Sequence, residues 1–287
     1  MGLTVAKILN EYKNELAGNV KFCFQPSEEG FNGEECGGAE MMMRDGVLES
    51  PKVDMTLSMH LWNEKPLGWL NVASGPVMAG AEEFHVKLTG KGGHGAAPHT
   101  TIDPVAASMQ IINALQTIVS RNVSPLDTAV VSVTKVDIGT AFNVIPQEAK
   151  FGGTIRTFDP NVRKLVIERI EKIVYGIAEA MGCKAEVKIV RVTPAVANNA
   201  SVTEKVQATA RQTLPNTHLD TSGYLTMGAE DMAFMQEKVD GCYFFIGSNN
   251  KEKNLDYSHH HPKFDFDEQA LVNGAALMAS AAADLLK

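Results

Sequence analysis

Residues 150–166 read Lys-Phe-Gly-Gly-Thr-Ile-Arg-Thr-Phe-Asp-Pro-Asn-Val-Arg-Lys-Leu-Val, and this stretch decides how the middle of the chain folds. Its first part, up to Phe158, predicts a strand. Asp159 and Pro160 then predict a helix start, because aspartate caps helices well and proline suits the first helical position. The apolar residues that follow recur along one helical face, and Gly182 predicts the end of this helix.

The same signals occur earlier in the chain, and further strands complete a regular order. Apolar and polar residues alternate at 84–88, which predicts a strand, and Asp103 with the proline after it predicts another helix start. Strands are also predicted at 129–136 and 185–192. The order is strand, helix, strand, strand, helix, strand, as in a ferredoxin-like α+β sandwich. We place this domain at residues 80–192.

The segments before this domain follow a different pattern. Residues 3–16 have the apolar period of an amphipathic helix, and 19–25 predict a strand. A second helix is predicted at 39–43 and a second strand at 53–59. Strand, helix and strand in this order predict a parallel βαβ unit.

The chain resumes this α/β pattern after residue 192. Ser201-Val-Thr-Glu204 has the form of a capping box and predicts a helix start. Residues 243–246 predict a buried strand, and Asp267 predicts the cap of a long C-terminal helix. The sequence therefore predicts a larger α/β domain with an open sheet, built from residues 1–79 and 193–287, into which the smaller domain is inserted.

Composition excludes two classes of partner. The 287 residues carry a net charge of −8 without a stretch rich in lysine or arginine, whereas nucleic-acid binding needs a basic surface. No apolar run reaches the roughly 18 to 20 residues that span a bilayer. We therefore expect neither a nucleic acid nor a membrane as partner.

Cysteine usage indicates a reducing compartment. The four cysteines are scattered and form no Cys-x-x-Cys pair, so a zinc ribbon or a redox motif is excluded. Cys23 lies within an apolar, strand-like run and is interpreted as a buried thiol. This usage is typical of a cytoplasmic protein.

Glutamate and histidine side chains follow the predicted strands of the α/β domain. Glu28 and Glu29 come after the first strand, His60 ends the second, and three histidines stand at 259–261. Active sites of parallel α/β sheets collect at the carboxyl ends of strands, and zinc accepts both residue types. Adjacent glutamates are also common on surfaces, and a lone histidine is often structural, so each feature gains weight only from the others.

A second group of candidates lies in the inserted domain. The glycine-rich segment 90–95 presents His94 on a loop and lacks the spacing of a phosphate-binding loop. Its glycines also fit a simple tight turn, which is the more common reason for such a segment. Asn143 and Arg156 are further candidates. A guanidinium group suits a substrate carboxylate, although Arg156 is also compatible with the solvated side of a strand.

Several motifs together resemble one known family. They are QPSEEG from residue 25, MHLW from 59, GKGGHGAAPHTTIDP from 90, FNVIPQEAKFGGTIR from 142, GAEDM from 228 and HHPKFDFDE from 260. In this order they resemble the aminoacylase/carboxypeptidase family of dinuclear metallopeptidases. The N-acyl-amino-acid amidohydrolase branch, with hippurate hydrolase, indole-acetyl-amino-acid hydrolases and N-acetyl-diaminopimelate deacetylase, is the most similar. The resemblance covers essentially the whole chain.

The resemblance implies roles for residues of the α/β domain, which would be the catalytic domain. Glu28 corresponds to the general base, and Glu29 and His60 to metal ligands. A further ligand corresponds to His260, with His259 and His261 as its neighbours. Two divalent ions are implied, and glutamate and histidine serve zinc, manganese, cobalt and nickel alike.

The resemblance also implies a reaction and a partner. His94 corresponds to a histidine of the lid domain that polarises the scissile carbonyl of a partner subunit, so residues 80–192 would be a lid and dimerisation domain of a homodimer. Asn143 and Arg156 correspond to residues near the substrate's carboxylate end. The implied reaction is metal-dependent hydrolysis of an N-acyl amino acid to a carboxylic acid and an amino acid.

One part of the family pattern is missing. The family carries a Cys-Gly-His-Asp-x-His motif with two further ligands, just before the helix that here begins near Leu3, and none of the cysteines has this context. N-terminal strands of the sheet are missing with it. From the ligands present we expect at most one weakly bound ion and little activity of the chain alone. The alternative is a truncated, catalytically inactive homologue that keeps the fold and the dimer surface.

Overall fold

A computed structural model of the protein describes residues 1–28 and 37–287. In these ranges the helices are α1 (Gly2–Glu11), α2 (Gly38–Arg44), α3 (Pro104–Leu115), α4 (Thr117–Arg121), α5 (Pro160–Ala180), α6 (Ala200–Thr213), α7 (Ala233–Gln236) and α8 (Gln269–Leu285). The strands are β1 (Met55–Pro66), β2 (Trp69–Asn71), β3 (Gly75–Met78), β4 (Gly80–Thr89), β5 (Gly93–His94), β6 (Ala129–Ile138), β7 (Val144–Ile145), β8 (Glu148–Thr157), β9 (Lys184–Thr193), β10 (Val196–Asn198), β11 (His218–Asp220) and β12 (Asp240–Asn249).

The described residues form two compact units. Unit 1 consists of Met1–Met78, Val196–Thr226 and Glu230–Lys287, and unit 2 consists of Ala79–Ala195 with Met227–Ala229. The assignment of residues 80–192 as a lid and dimerisation domain stays a prediction.

The sheet of unit 1 is open and mixed, which confirms the predicted α/β class. Its strand order is β1-β12-β2-β11. β1 runs parallel to β12, β2 runs antiparallel to β12, and β11 runs parallel to β2. Phe244 of β12 is fully buried in a core with Val206 of α6 and Leu277 of α8. Helix α1 adds Val5 and Leu9, which pack against Ala275 and Ala279 of α8.

Strand β1 is longer than predicted, so His60 lies within it rather than at its end. His60 stands opposite Phe245, and the ladder continues to Trp62 opposite Gly247. The prediction ended the strand at His60. The apolar residues after His60 instead continue the pairing with β12. Gly247 of β12 lets the end of β1 come close, because a Cβ at position 247 would lie 2.0 Å from the Pro66 carbonyl oxygen.

The strand predicted at 19–25 is not formed. Residues 17–23 and 53–59 line one groove of about 800 Å³, and no ladder joins the two segments. The Lys21 ammonium instead donates to the carbonyl oxygens of Val47 and Glu49 at 2.8 and 2.7 Å. Cys23 is exposed, so the prediction of a buried thiol is wrong for the same reason.

Helix boundaries in unit 1 correct two predictions and confirm one. Helix α1 ends at Glu11, earlier than predicted. Helix α6 is capped by Asn199, whose side chain accepts from the backbone N–H of Ser201 at 2.9 Å, so the predicted capping box is wrong. Asn199 comes first along the chain and supplies the acceptor itself. Asp267 accepts from the N–H of Gln269 at 3.1 Å, as predicted for the C-terminal helix.

Unit 2 has the predicted ferredoxin-like topology. Its sheet has the order β6-β8-β4-β9 with antiparallel neighbours. Helices α3, α4 and α5 contribute to one core with the strands, in which Phe84, Ile111 and Ile170 are fully buried. Asp103 and Asp159 accept from the first backbone N–H groups of α3 and α5, which confirms both predicted caps.

Within the described ranges, no helix is both long and apolar enough to cross a bilayer.

Candidate functional site

Three carboxylates meet in unit 1. Glu28, Glu230 and Asp231 each offer an oxygen atom within 4.8 Å of the others. Within residues 1–28 and 37–287, this is the one cluster of at least three side chains that could bind a metal ion together. Glu28 is half-buried, whereas Glu230 and Asp231 are 7% and 2% exposed. Buried carboxylates are costly unless they are hydrogen-bonded or bind a cation.

Strand β12 and the turn before α7 hold Glu230. The hydroxyl of Tyr243 donates to Glu230 Oε2 at 2.8 Å, and the backbone N–H of Met232 donates to Oε1 at 3.2 Å. Burial, and then the charge of Glu230, raise the pKa of Tyr243 well above its usual value. The phenol therefore stays a hydrogen-bond donor to the carboxylate.

Asp231 is held by Gln25 and by the start of α2. Its Oδ2 accepts from the backbone N–H of Ala39 at 2.8 Å, at the start of α2, and its Oδ1 accepts from the side chain of Gln25. Burial raises the pKa of Asp231 to about 6, although both hydrogen bonds act in the opposite direction. A cation at this group would offset the cost of burying the charges.

His60 presents one ring nitrogen in the form that a metal ion needs. Its Nδ1 hydrogen bonds to the backbone oxygen of Leu61, which can only accept, so in the neutral imidazole Nδ1 carries the proton and Nε2 carries the lone pair. Ligating histidines are commonly oriented by such a bond to a carbonyl oxygen. The rings of Trp62 and His259 lie edge-on at 5.6 and 5.2 Å from the His60 ring.

The three consecutive histidines have three different environments. His259 is half-buried, and its ring lies 5.2 Å from that of Trp62 and 5.0 Å from that of Phe264. His260 is exposed and has a left-handed backbone, with φ of 64°. His261 stacks on Tyr257 with ring centroids 4.5 Å apart.

The candidates of unit 1 fit divalent ions by their chemistry, and their individual roles stay predictions. Carboxylate oxygens and an imidazole with a free Nε2 lone pair are ligands that zinc and related ions take. Glu29, the predicted ligand next to Glu28, lies outside the described residues. In the described part, neither His60 nor His260 belongs to the group of three.

Two candidates of unit 2 share a small ladder. His94 on β5 stands opposite Val144 on β7, and the N–H of Gly95 donates to the carbonyl oxygen of Asn143 at 2.8 Å. Both side chains are exposed, and His94 Nδ1 accepts from the N–H of Ala96 at 3.0 Å. The structure therefore brings His94 and Asn143 to one loop pair.

Arg156, the third candidate of unit 2, lies on β8. Its side chain is half-buried, and Nη1 donates to Thr154 Oγ1 and, at 3.0 Å, to the Ile155 carbonyl oxygen. These bonds fix the guanidinium close to its own strand. A guanidinium carries five N–H donors, so it has capacity for a carboxylate as well.

A comparison with known families covers almost the whole chain. The family model of peptidase family M20/M25/M40 matches residues 1–284. The chain belongs to this family. Membership confirms the resemblance stated from the sequence motifs and the expected class of hydrolase.

Two similar proteins carry the names of enzymes that act on N-acyl amino acids. The N-acetylcysteine deacetylase of Bacillus subtilis is 38% identical over 283 residues, which are 98% of this chain and 70% of that protein. The N-acyl-L-amino acid amidohydrolase of Geobacillus stearothermophilus is 44% identical over 186 residues, which are 65% of this chain and 49% of that protein.

A solved structure of an M20 member supports the fold. The YXEP protein of Bacillus subtilis, described as a dinuclear metal-binding peptidase, is 33% identical with a TM-score of 0.81. The match covers 99% of this chain and 69% of that structure.

For this M20 member, sequence reasoning assigned no role to four residues of the site. Glu230 and Asp231 were visible only as part of the GAEDM motif. His259 was predicted only as a neighbour of His260, and no role was predicted for Asn63, whose Nδ2 donates to the Tyr257 and Asp265 carbonyl oxygens on either side of the histidines. The buried environment that makes these polar residues conspicuous requires the structure.

Proposed function

We propose that the protein is a metal-dependent amidohydrolase that cleaves the amide bond of N-acyl amino acids, such as N-acetyl or N-benzoyl amino acids. The products are a carboxylic acid and a free amino acid. One observation carries the proposal: Glu28, the expected base, lies in a group of carboxylates with oxygen atoms within 4.8 Å of one another. In a member of the M20/M25/M40 family, this is the donor chemistry that a divalent cation uses.

The residues of unit 1 hold the ions and move the proton. Glu29, His60 and His260 are the proposed ligands. When bound, divalent ions act as Lewis acids and lower the pKa of water toward neutrality. Glu28 accepts a proton from the attacking water and delivers it to the nitrogen of the leaving amine.

The residues of unit 2 act on the substrate. His94 donates to the carbonyl oxygen and stabilises the negative charge that develops there. Asn143 and Arg156 bind the substrate's carboxylate, for which the planar guanidinium is suited. We further propose a cytoplasmic homodimer that contacts neither a nucleic acid nor a membrane.

A second candidate is a non-catalytic homologue that keeps the fold and the dimer surface. It is favoured by the finding that, within residues 1–28 and 37–287, His60 and His260 lie outside the three-ligand group. This candidate predicts metal binding at most, without turnover.

Turnover in the presence of metal separates the two candidates. The protein is assayed with zinc or manganese against a panel of N-acetyl- and N-benzoyl-amino acids. In a chain extended by the family's Cys-Gly-His-Asp-x-His segment, Glu28→Gln keeps the shape of the side chain but removes the proton shuttle, so we expect a loss of about 100-fold or more. Glu204→Gln, an exposed glutamate of α6, is the matched control. A loss below about tenfold contradicts the role of Glu28, and metal binding without any hydrolysis favours the second candidate.

A further inference from the structure

Asn63 lies where the ladder between β1 and β12 is interrupted. The register is regular up to Trp62 opposite Gly247 and resumes at Pro66 opposite Asn249. Asn63 is 1% exposed, so its backbone and side-chain polar groups need partners other than water. These partners come largely from the loop between β12 and α8, which carries the three histidines.

The side-chain amide of Asn63 holds this loop on both sides of the histidines. Its Nδ2 donates to the carbonyl oxygen of Tyr257 at 2.7 Å and to that of Asp265 at 3.1 Å. Its Oδ1 accepts from the hydroxyl of Ser248 at 2.9 Å, at the end of β12. One buried amide therefore ties both ends of the segment 257–265 to the sheet.

The backbone of Asn63 holds the loop at a third point. Its N–H donates to Nε2 of His259 at 3.0 Å. A neutral imidazole that accepts at one nitrogen carries its proton on the other, so this His259 tautomer has no lone pair left for a metal ion. The geometry makes His259 an anchor of the loop rather than a ligand.

His260 follows this anchor with a strained backbone. Its φ of 64° brings its Cβ close to the following carbonyl oxygen, a conformation that residues with a side chain seldom adopt. Such a conformation persists only where the surrounding structure holds it. The attachments at residues 257, 259 and 265 surround His260 and supply that restraint.

We propose that Asn63 is a positioning residue for metal binding: it fixes the histidine loop so that His260 presents its imidazole, with His259 as the anchor. The proposal rests on the proposed function, which assigns His260 as a ligand. Partners of this kind typically change metal affinity about 10- to 100-fold when removed.

The test compares two buried asparagines of the same unit. Asn63→Asp keeps the shape but turns the Nδ2 donor into an acceptor that faces two carbonyl oxygens. Asn71→Asp makes the same change at a residue of equal burial, 1% exposed, whose Nδ2 donates to the carbonyl oxygens of Asp220 and Ser222. Both variants lose stability, but only Asn63→Asp alters the metal site.

Binding of Co²⁺ to metal-free protein is measured by calorimetry and by its visible absorption, under conditions where circular dichroism shows a folded chain. We expect Asn63→Asp to weaken binding by at least about tenfold and to change the absorption spectrum, and Asn71→Asp to do neither. If Asn63→Asp does not fold, Asn63→Ser and Asn71→Ser replace the pair. The double variant Asn63→Asp/His260→Ala should bind no more weakly than His260→Ala alone.

The two histidines are separated by a conservative substitution. His259→Ala should weaken Co²⁺ binding, and His259→Gln should restore it, because the glutamine oxygen can accept the same N–H. His260→Gln, in contrast, should weaken Co²⁺ binding as much as His260→Ala does.

Three outcomes overturn the proposal in distinguishable ways. If wild-type protein binds no Co²⁺, or if His260→Ala binds it as wild type does, the assigned ligand fails and the positioning role fails with it. If His260→Ala weakens binding while Asn63→Asp and Asn71→Asp behave alike, the proposed function stands and Asn63 is merely structural. If His259→Gln loses as much Co²⁺ binding as His260→Gln does, His259 is not an anchor of the loop.

Discussion

The phenolic hydroxyl of Tyr243 donates a hydrogen bond to Oε2 of Glu230 over 2.8 Å, and both side chains are buried. Tyr243→Phe removes the donor and leaves a buried carboxylate oxygen without it. We expect the free energy of unfolding to fall by about 1–3 kcal/mol, the cost of an unsatisfied buried polar group. Urea denaturation at neutral pH in the presence of a chelator measures this loss. Tyr175→Phe, at an exposed position of α5, is the control, and equal losses in the two variants would contradict the prediction.

The carboxylate of Asp267 predicts how stability depends on pH in acid. Hydrogen bonds from Lys253 first, and then from Gln269 and Asn250, lower its pKa to about 2. Because the folded pKa is below that of the unfolded chain, the ionised form stabilises the fold above about pH 4. This contribution is lost as the pH falls through about 2. Wild-type protein should therefore lose stability between these values.

Asp267→Asn should remove part of that dependence. The variant should be less stable than wild type at pH 7, and the difference should shrink as the pH falls from about 4 to 2. Thermal unfolding at a series of pH values measures both effects. Asp256→Asn, on the exposed part of the same loop, provides the comparison. If the difference in stability between wild type and Asp267→Asn stays constant from about pH 4 to 2, the charge of Asp267 does not contribute to stability.

The cysteines should differ in reactivity toward alkylation. Burial raises the pKa of Cys242 to about 12 and also raises that of Cys23, but Cys23 is exposed whereas Cys242 is buried. Since the thiolate is the reactive form, Cys242 should remain unmodified by iodoacetamide at pH 8 in native protein while Cys23 reacts. Mass spectrometry of the two peptides measures the labelling, and a sample in guanidinium, where both should react, is the control. Rapid native labelling of Cys242 would indicate that β12 opens readily.

His94 should matter for turnover but little for stability. Its side chain is exposed on β5, so His94→Ala should change the free energy of unfolding by about 0.5 kcal/mol or less. In a chain extended by the family's Cys-Gly-His-Asp-x-His segment, we expect the rate of hydrolysis to fall, because a donor to the developing oxyanion typically contributes about 100- to 1,000-fold. His99→Ala, at another exposed histidine of unit 2, is the comparison.

Mixed dimers test where His94 acts. If it serves the partner subunit, mixing His94→Ala with Glu28→Gln chains should restore one working site per heterodimer. Well-formed heterodimers without recovered activity would place His94 within its own chain or outside the reaction.

Local signals predicted unit 2 well because its elements carry their own boundaries. Asp103 and Asp159 each precede a proline and cap a helix, and Gly182 ends one with a positive φ of 73°. Alternation placed β4 because Phe84, Val86 and Leu88 are buried in the core of unit 2 while His85 between them is exposed. Adjacent residues determine such features, so the sequence alone suffices.

Unit 1 was predicted less well because its features depend on distant residues. Residues 19–25 have strand composition but find no ladder partner, and β1 extends beyond His60 because Gly247 admits a close neighbour. The carboxylate group joins Glu28 with Glu230 and Asp231 from the far part of the chain. The sequence pattern and the spacing of these carboxylates do not indicate that they lie close together, because the fold brings them there.

The antiparallel pairing of β3 with β10 has a consequence for how the protein is made. Met78 stands opposite Val196, so the chain leaves unit 1 and returns to it at adjacent positions. On the ribosome, residues 79–195 emerge in full, with all the strands and helices of unit 2, before β12 exists to pair with β1. We expect this middle segment to fold first, while the earlier residues wait for the C-terminal part to be synthesised. Nascent chains stalled beyond residue 195 should therefore carry a protease-resistant core from the middle of the sequence and a sensitive N-terminal part.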